Sequence, residues 1–382
     1  MNPRILAVPM LAAAIAIGIY FFVGREKSAS AITLPATAVT PATVHPETPH
    51  GKNTASGKSL GPAGKKSAVD WTMFAALSGK SGEGAAQIPE PTAEDIARFL
   101  AKHGETAVNL VVAFEKTHDR HWLERALELF PNSPVVLMAA VDSIPSVSPR
   151  DGETYHFDPK RMEFIERFKA ADANNPLPCL FSAQEFFKSG QTADALADVR
   201  AALGRPGFYT YSTERMDSAQ KLYEGLGLGP VEASALAIFS VTLPHMTAAN
   251  QTSRGLMEWQ KTATESGDTA AADDALRLTY SLGRTFATPE ASRMLIGQLV
   301  GISMETRALK ALPDGSQPDW LKVTPADRLA ELDRQKAGVQ EVAKGIASVV
   351  QSQDGELLAE YLRRVRTESE AAAYEWLKTQ KK

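Results

Sequence analysis

The sequence contains a single cysteine, Cys179, among 382 residues, and it carries no excess of basic residues. One cysteine excludes an internal disulfide and any zinc or iron–sulfur site held by several thiolates, so the fold depends on its apolar core. Lysine and arginine total 41 against 45 acidic residues, which gives a net charge of −4. Nucleic-acid binding proteins usually carry a basic domain or stripe. Nucleic acid is therefore not an expected partner.

Short motifs that carry catalysis are also absent. There is no nucleophile elbow, no H-E-x-x-H pair and no acidic metal motif. Residues 51–59 resemble a phosphate loop but place five residues between the glycines instead of four. Residues 225–230 resemble a dinucleotide loop but follow a helical pattern, so they predict a helix end. We expect no catalytic, cofactor-binding or metal residue, and the sequence leaves enzymatic activity open while favouring a protein that is not an enzyme.

Two side-chain patterns have a functional and a structural interpretation. His118 and His121 lie three residues apart and could face one metal ion from one side of a helix, but no third ligand is near. An exposed helix start is the favoured interpretation. Cys179 follows Pro178 at a predicted helix start, where a thiol pKa can fall, yet its position in the hairpin described below favours a buried packing residue.

The N-terminal residues 1–27 contain nineteen uncharged residues in a row, from Ile5 to Val23. A membrane-spanning helix needs about 20 apolar residues, whereas the apolar part of a cleaved signal peptide has about 7–15. We therefore expect an uncleaved signal anchor that crosses the cell membrane once, with the rest of the chain on the extracytoplasmic, periplasmic side. The alternative is cleavage near Ala31 and secretion, because residues 29–31 form an A-x-A signature.

Residues 28–90 are dominated by Ala, Pro, Gly, Ser, Thr and Lys. Such a composition cannot bury enough apolar surface to offset its ordering entropy, so it predicts a disordered linker. Within the linker, residues 69–77 form a short apolar segment with Trp71 and Phe74 on one helical side. This segment is expected to pack on the main domain as a strap, with a docking peptide as the alternative.

From residue 91 to residue 382, apolar residues recur at spacings of three and four, and no useful run alternates as a strand would. Helix starts are marked by capping residues, among them Thr92, Asp119, Asp158 and Thr324. The predicted later helices cover residues 213–224, 230–241, 247–266, 269–285, 289–312, 325–350 and 355–380. The fold class is therefore all-α, built from stacked antiparallel helical hairpins.

Residues 176–209 resemble one tetratricopeptide repeat. A helix from Pro178 to Lys188 presents Ala183 and Phe186 on one side, and a second helix over residues 192–203 faces it with Ala195, Val199 and Ala202. Residues 126–133 look like the end of a second, partial repeat. This resemblance covers about a fifth of the chain, and it implies an α-solenoid or superhelical array that binds a peptide or helix of a protein partner in a concave groove.

The predicted function is accordingly that of a membrane-tethered or exported adaptor that mediates protein–protein interaction. Candidate partner-binding residues are Tyr155 and His156, in a long loop, and Phe186 and Phe187, in the repeat-like hairpin. One alternative is a ligand-binding or enzymatic domain with a pocket between the helices of residues 230–350. Another is a passive spacer with neither groove nor pocket.

Overall fold

The computed structural model of the chain describes residues 89–146, 155, 157–286 and 293–380. Within these ranges the secondary structure is entirely helical, which confirms the all-α prediction. The fifteen helices of these ranges are α1 (Ala93–His103), α2 (Ala107–Thr117), α3 (Arg120–Leu129), α4 (Pro134–Ser143), α5 (Pro159–Ala171), α6 (Leu177–Lys188), α7 (Thr192–Leu203), α8 (Ser212–Gly225), α9 (Pro230–Phe239), α10 (Pro244–Glu265), α11 (Thr269–Phe286), α12 (Leu295–Lys310), α13 (Pro325–Ser352), α14 (Gly355–Thr367) and α15 (Glu370–Gln380).

The predicted anchor at residues 1–27 and nearly all of the predicted linker, with its strap at 69–77, lie outside the described residues. Among the helices listed above, none is both long enough and apolar enough to span a membrane.

Capping side chains begin several helices where the sequence indicates them. Thr92 accepts a hydrogen bond from the backbone N–H of Asp95, whose carboxylate accepts one from the Thr92 N–H in return. Asp158 accepts from two backbone N–H groups in the first turn of α5, and Thr324 accepts from one at the start of α13. These bonds satisfy donors that have no partner inside the helix, so they fix the position of the first turn.

Two of the later helices differ from their predicted bounds. The helix predicted over 289–312 begins at Leu295, because Met294 is in an extended conformation. The helix predicted over 355–380 is interrupted at Glu368 and Ser369, which separate α14 from α15. The side chain of Ser369 accepts a hydrogen bond from the N–H of Ala372 and so starts the new helix.

Helices that follow one another in the chain pack together, as α6 and α7 do over the repeat-like segment. In that pair Ala183, Ala195 and Val199 are fully buried between the helices, which confirms the predicted small-residue face. Other packed pairs of consecutive helices are α4–α5, α8–α9, α10–α11, α11–α12 and α14–α15.

Helices distant in the sequence also pack together. The hairpin α6–α7 contacts α10 and α11 in addition to the preceding helix α5. Helix α8 lies against α1 and α2. The buried Ser218 hydroxyl of α8 donates to the Asn109 side chain of α2 at 2.8 Å. At the other end of the body, α14 lies against α8 and α9. These long-range contacts add to the nearest-neighbour stacking of hairpins and join the chain into one main core.

Helix α12 is a central helix, as its apolar sequence predicts, and it packs against α10, α11 and α13. Leu295, Leu299, Ile302 and Met304 are all buried. The crossing with α11 is tight at Gly283, where an added Cβ would lie 2.8 Å from the carbonyl oxygen of Gly301 and from the backbone nitrogen of Glu305. The backbones can approach this closely only because residue 283 has no side chain.

Among the described residues, three buried or nearly buried ion pairs join different helices. Arg161 of α5 pairs with Glu185 of α6 at 3.0 Å, and Arg215 of α8 pairs with Glu115 of α2 at 2.6 Å. The third pair, between Arg328 of α13 and Glu305 of α12, also measures 2.6 Å. Each charge needs its partner because an unpaired charge in an apolar interior is costly.

Candidate functional site

An open cleft of about 920 Å³ lies between the loop that joins α7 to α8 and the turn that joins α14 to α15. The first wall consists of residues 205–214. The opposite wall is formed by Arg293, Glu368, Ser369 and Ala372, with Thr285 at the end of α11. Three segments that are far apart in the sequence therefore contribute to one concave surface.

Asn175 holds the first wall in place. Its side chain is fully buried after α5 and donates a hydrogen bond to the carbonyl oxygen of Tyr209 at 2.9 Å. The same amide donates to Asp172 at 2.9 Å, and its oxygen accepts from the N–H of Leu177 at 3.1 Å. Arg205 donates to the backbone carbonyl of Asn175 at 2.7 Å. These bonds tie both ends of the cleft loop to the turn before α6.

Two tyrosines of this loop have different environments. Tyr211 has a φ of 53° and donates its hydroxyl proton to Asp172, beside the ring of Phe168. Burial, together with the bond to Asp172, raises the pKa of Tyr211 well above its usual range. Tyr209, in contrast, is 61% exposed and lies at the rim of the cleft. Tyr211 therefore fixes the loop, while Tyr209 is available to a ligand.

An aromatic cluster backs the loop from inside. The ring of Phe208 meets Phe286 at 4.9 Å and His245 at 6.0 Å between centroids. Burial, and to a lesser degree the positive charge of Arg215, lowers the pKa of His245 to about 3. The imidazole is therefore neutral near pH 7, where it is too weak a base to serve as an efficient proton acceptor.

The second wall depends on a buried carboxylate. Glu370, at the start of α15, accepts a hydrogen bond from the N–H of Leu295 at 2.8 Å, and its own N–H donates to the carbonyl of Arg293 at 2.9 Å. Burial raises the pKa of Glu370 to about 7, although the bond from Leu295 lowers it. Glu370 thus joins the first turn of α12 to the turn that carries Glu368 and Ser369.

Two arginines and two glutamates supply the charged groups of the cleft. The guanidinium groups of Arg205 and Arg293 donate to backbone carbonyls, and neither has a carboxylate partner among the described residues. Glu368 pairs with Arg364 at 3.0 Å, and Glu214 is exposed. The hydroxyls of Thr210 and Ser212 bond to one another at 2.8 Å. No nucleophile is paired with a general base on the described walls, as covalent catalysis would require.

The structure places three of the four candidate partner-binding residues outside this cleft. The Tyr155 hydroxyl donates to the fully buried carboxylate of Glu185, and burial followed by this bond raises the pKa of Tyr155 to about 12. Phe186 packs edge-on against Phe157, with ring centroids 6.3 Å apart.

The ring of Phe187 covers Gly255 of α10, where an added Cβ would come within 2.4 Å of it. Phe187 also packs against the small cluster formed by α6, α7, α10 and α11. Like Tyr155 and Phe186, it makes an internal contact of the fold. His156 lies outside the described residues.

The other candidates of the sequence are also placed in the fold. Cys179 is buried, and burial raises the pKa of its thiol, in agreement with a packing residue. His118 ends α2 in a left-handed conformation, and His121 stands in the first turn of α3. The described ranges contain no group of three or more His, Cys, Asp or Glu side chains that could hold a metal ion.

The loop of the first wall has a distinctive sequence pattern. Residues 204–211 combine two glycines and a proline with three aromatic residues between two well-marked helices. Exposed aromatic side chains in a short loop are typical of binding surfaces. The opposite wall has a weaker signal, the serine at 369 followed by Glu370, which is typical of a helix start.

Comparison of the chain with profiles of known protein families, with curated proteins and with solved structures finds no match.

Proposed function

We propose that the chain is an adaptor whose helical body binds an extended segment of a partner protein in the cleft between residues 205–214 and the α14–α15 turn. The observation that carries this proposal is the form of the cleft. It is open, with a volume of about 920 Å³, and it is lined by an exposed tyrosine, hydroxyl groups and arginines. Such a surface can bind a peptide without any chemical step.

The rigidity of the first wall supports a binding role. The bonds from Asn175 and Arg205 and the buried Tyr211 hold the loop in one conformation before any ligand arrives. A preformed surface loses less conformational entropy on binding than a loop that must first become ordered. Tyr209 at the rim offers a large, amphipathic contact of the kind that is enriched in protein interfaces.

The N-terminal part of the chain completes the proposal. A hydrophobic segment at residues 5–23 would hold the protein at a membrane, and the polar linker up to residue 90 would let the body move around that point. Such a tether raises the local concentration of the body near partners on the same membrane. The resemblance of residues 176–209 to a tetratricopeptide repeat agrees with a protein-binding body.

The second candidate function is the binding of a small molecule in the same cleft. Its volume lies within the range of about 300–1,000 Å³ that is typical of small-molecule sites. The lining includes only Thr285 and Arg293 from residues 230–350, so this alternative concerns a different place from the pocket that the sequence suggested.

Site-specific photocrosslinking in cells tests the proposal. A photoactivatable phenylalanine analogue replaces Tyr209 in one version of the full-length protein and Phe239 in the control, since both side chains are exposed and Phe239 is not part of the cleft lining. We expect a defined protein crosslink from position 209 that is absent from position 239. Equal crosslinking from both positions, or none from position 209, would contradict the adaptor function.

A further inference from the structure

We infer that the cleft recognises an acidic segment of its partner, with carboxylate groups bound by Arg205 and Arg293. This inference rests on the proposed function and adds the chemical class of the bound segment. It starts from the two guanidinium groups on opposite walls of the cleft, which have no carboxylate partner in the described part of the chain.

Arg205 is held ready for an anion. One of its terminal nitrogens donates to the Asn175 carbonyl at 2.7 Å, and the side chain is half-buried. A guanidinium has five N–H donors, so this single bond leaves other donors of the group for a ligand. Because the group is already oriented, a carboxylate gains hydrogen bonds without the full entropy loss of fixing a free arginine.

Arg293 provides the second positive charge from the other wall. It donates to the carbonyl of Arg366, in the last turn of α14, at 3.2 Å. The nearby charges are already balanced in pairs. Arg364 pairs with Glu368 at 3.0 Å, and Arg366 pairs with Asp217 at 3.1 Å.

With Glu368 paired to Arg364, the unpaired charged side chains that line the cleft are two arginines, Arg205 and Arg293, and one carboxylate. That carboxylate belongs to Glu214 in the first turn of α8. Glu214 is exposed, where water and salt weaken its repulsion of an approaching anion. The balance of unpaired charge therefore favours a ligand that carries negative charge.

The chain's own linker offers no excess of acidic groups to the cleft. Residues 28–90 contain five basic and four acidic residues. A segment with this balance gains no net electrostatic attraction to Arg205 and Arg293. An acidic segment of another protein is the occupant that the charges favour.

Fluorescence anisotropy with the full-length protein tests this inference. The probe is a fluorescein-labelled peptide of alternating Asp, Gly and Tyr residues, and the matched probe has Asn in place of every Asp. We expect the acidic peptide to bind at least about tenfold more tightly than the neutral one, because each carboxylate makes charge-assisted hydrogen bonds. Raising the salt concentration should weaken its binding, since the cleft is open to solvent.

Three variants locate the effect. Arg205→Gln and Arg293→Gln should each weaken acidic-peptide binding about fivefold, and Arg205→Lys should recover part of the loss. Arg293 is exposed, so its replacement leaves the fold intact even where Arg205→Gln disturbs the loop. Arg363→Gln is the control, because Arg363 pairs with Glu360 on α14 outside the cleft. It should bind as the wild type does.

Equal binding of the two peptides, no binding of either, or an equal loss in Arg363→Gln would overturn the inference. The proposed function would survive such a result if position 209 still crosslinks a defined partner. Failure of that crosslink would instead remove the proposed function itself, so the two outcomes are distinguishable.

Discussion

At the scale of single residues, Glu185 shows how buried charges hold this protein together. Its carboxylate accepts hydrogen bonds from Arg161, Ser146 and Tyr155, which belong to separate segments of the chain. Arg161 also donates to the carbonyl of Ile144 at 2.8 Å. The residues after α4, the side chain of Tyr155 and helices α5 and α6 are thus joined at one carboxylate.

Replacing Arg161 by Met should destabilise the protein by about 3–5 kcal/mol, because the buried carboxylate of Glu185 loses its charged partner. The matched control is Arg167→Met on the same helix, whose pair with Glu163 is largely exposed and is expected to contribute less than about 1 kcal/mol. Urea unfolding measures both free energies. Similar values for the two variants would show that the buried pair is not the stabilising feature.

The carboxylate of Glu370 predicts a specific pH dependence of stability. Its pKa of about 7 in the folded protein lies above the ordinary value of 4.5, so the folded state binds the proton more tightly than the unfolded chain does. The free energy of unfolding should therefore fall as pH rises from about 4.5 to 7, by up to about 3 kcal/mol from this group. Burial, and to a lesser degree the negative charge of Glu370, raises the pKa of the buried Tyr361 above its usual range.

Glu370→Gln should remove this contribution, while the amide oxygen can still accept from Leu295. Relative to the wild type, the variant should gain stability at pH 8 and lose that advantage near pH 5. Urea midpoints at the two pH values measure the difference. Parallel pH profiles for the two proteins would contradict the assignment.

At the scale of helices, capping residues in the sequence predict where many helices begin, whereas other helix boundaries depend on tertiary contacts. Thr92, Asp158 and Thr324 are visible in the sequence as helix starts because capping is a local interaction. The break between α14 and α15 is harder to predict. Its apolar spacing continues through Ser369, and the cap is favoured only once Glu370 can bind the start of α12.

The cleft could not be predicted from the sequence for the same reason. Its walls are at least 71 residues apart in the sequence, from Glu214 to Thr285, and helical periodicity indicates which side of a helix is buried but not which helix covers it. The sequence predicts Tyr155 as a partner contact because it is an aromatic residue in a long loop, and Phe186 and Phe187 because they belong to the repeat-like hairpin. In the structure their contacts are internal to the fold.

The crossing of α11 and α12 predicts opposite effects for two glycine substitutions. Gly283→Ala should cost about 1–3 kcal/mol, because the new Cβ would meet the backbone of α12 at 2.8 Å. Gly338→Ala on α13 should stabilise the protein by about 0.5–1 kcal/mol, since no atom lies within 4 Å and alanine favours the helix. Thermal or urea unfolding of both variants measures the sign of each change. Equal effects would contradict the close approach at residue 283.

At the scale of the whole molecule, contacts between distant helices favour cooperative unfolding of the helical body. Helix α8 lies against α1, α2 and α14, so residues near both ends of the described fold share one core. A simple repeat array has only nearest-neighbour interfaces, and its parts can unfold separately. In this protein the loss of α8 would expose helices from both ends.

We therefore expect one unfolding transition for the whole helical body. Single-tryptophan versions that retain Trp122 on α3 or Trp376 on α15 report on opposite ends of the sequence, and both side chains pack against the main core. Their fluorescence transitions in urea should coincide, as two-state unfolding requires. Transitions at clearly different urea concentrations would show independent units.

The division of the cleft between two distant parts of the chain has a consequence for biosynthesis. A ribosome that has translated as far as α8 has produced the loop of residues 205–214, but it has not yet produced the wall at Glu368, Ser369 and Ala372. A nascent chain at this stage therefore has only one wall of the cleft, and it gains Arg293 and the α14–α15 turn later in translation. A product that ends prematurely never gains the second wall. On the proposed function, only polypeptides whose synthesis has passed α15 would hold both walls and bind a partner.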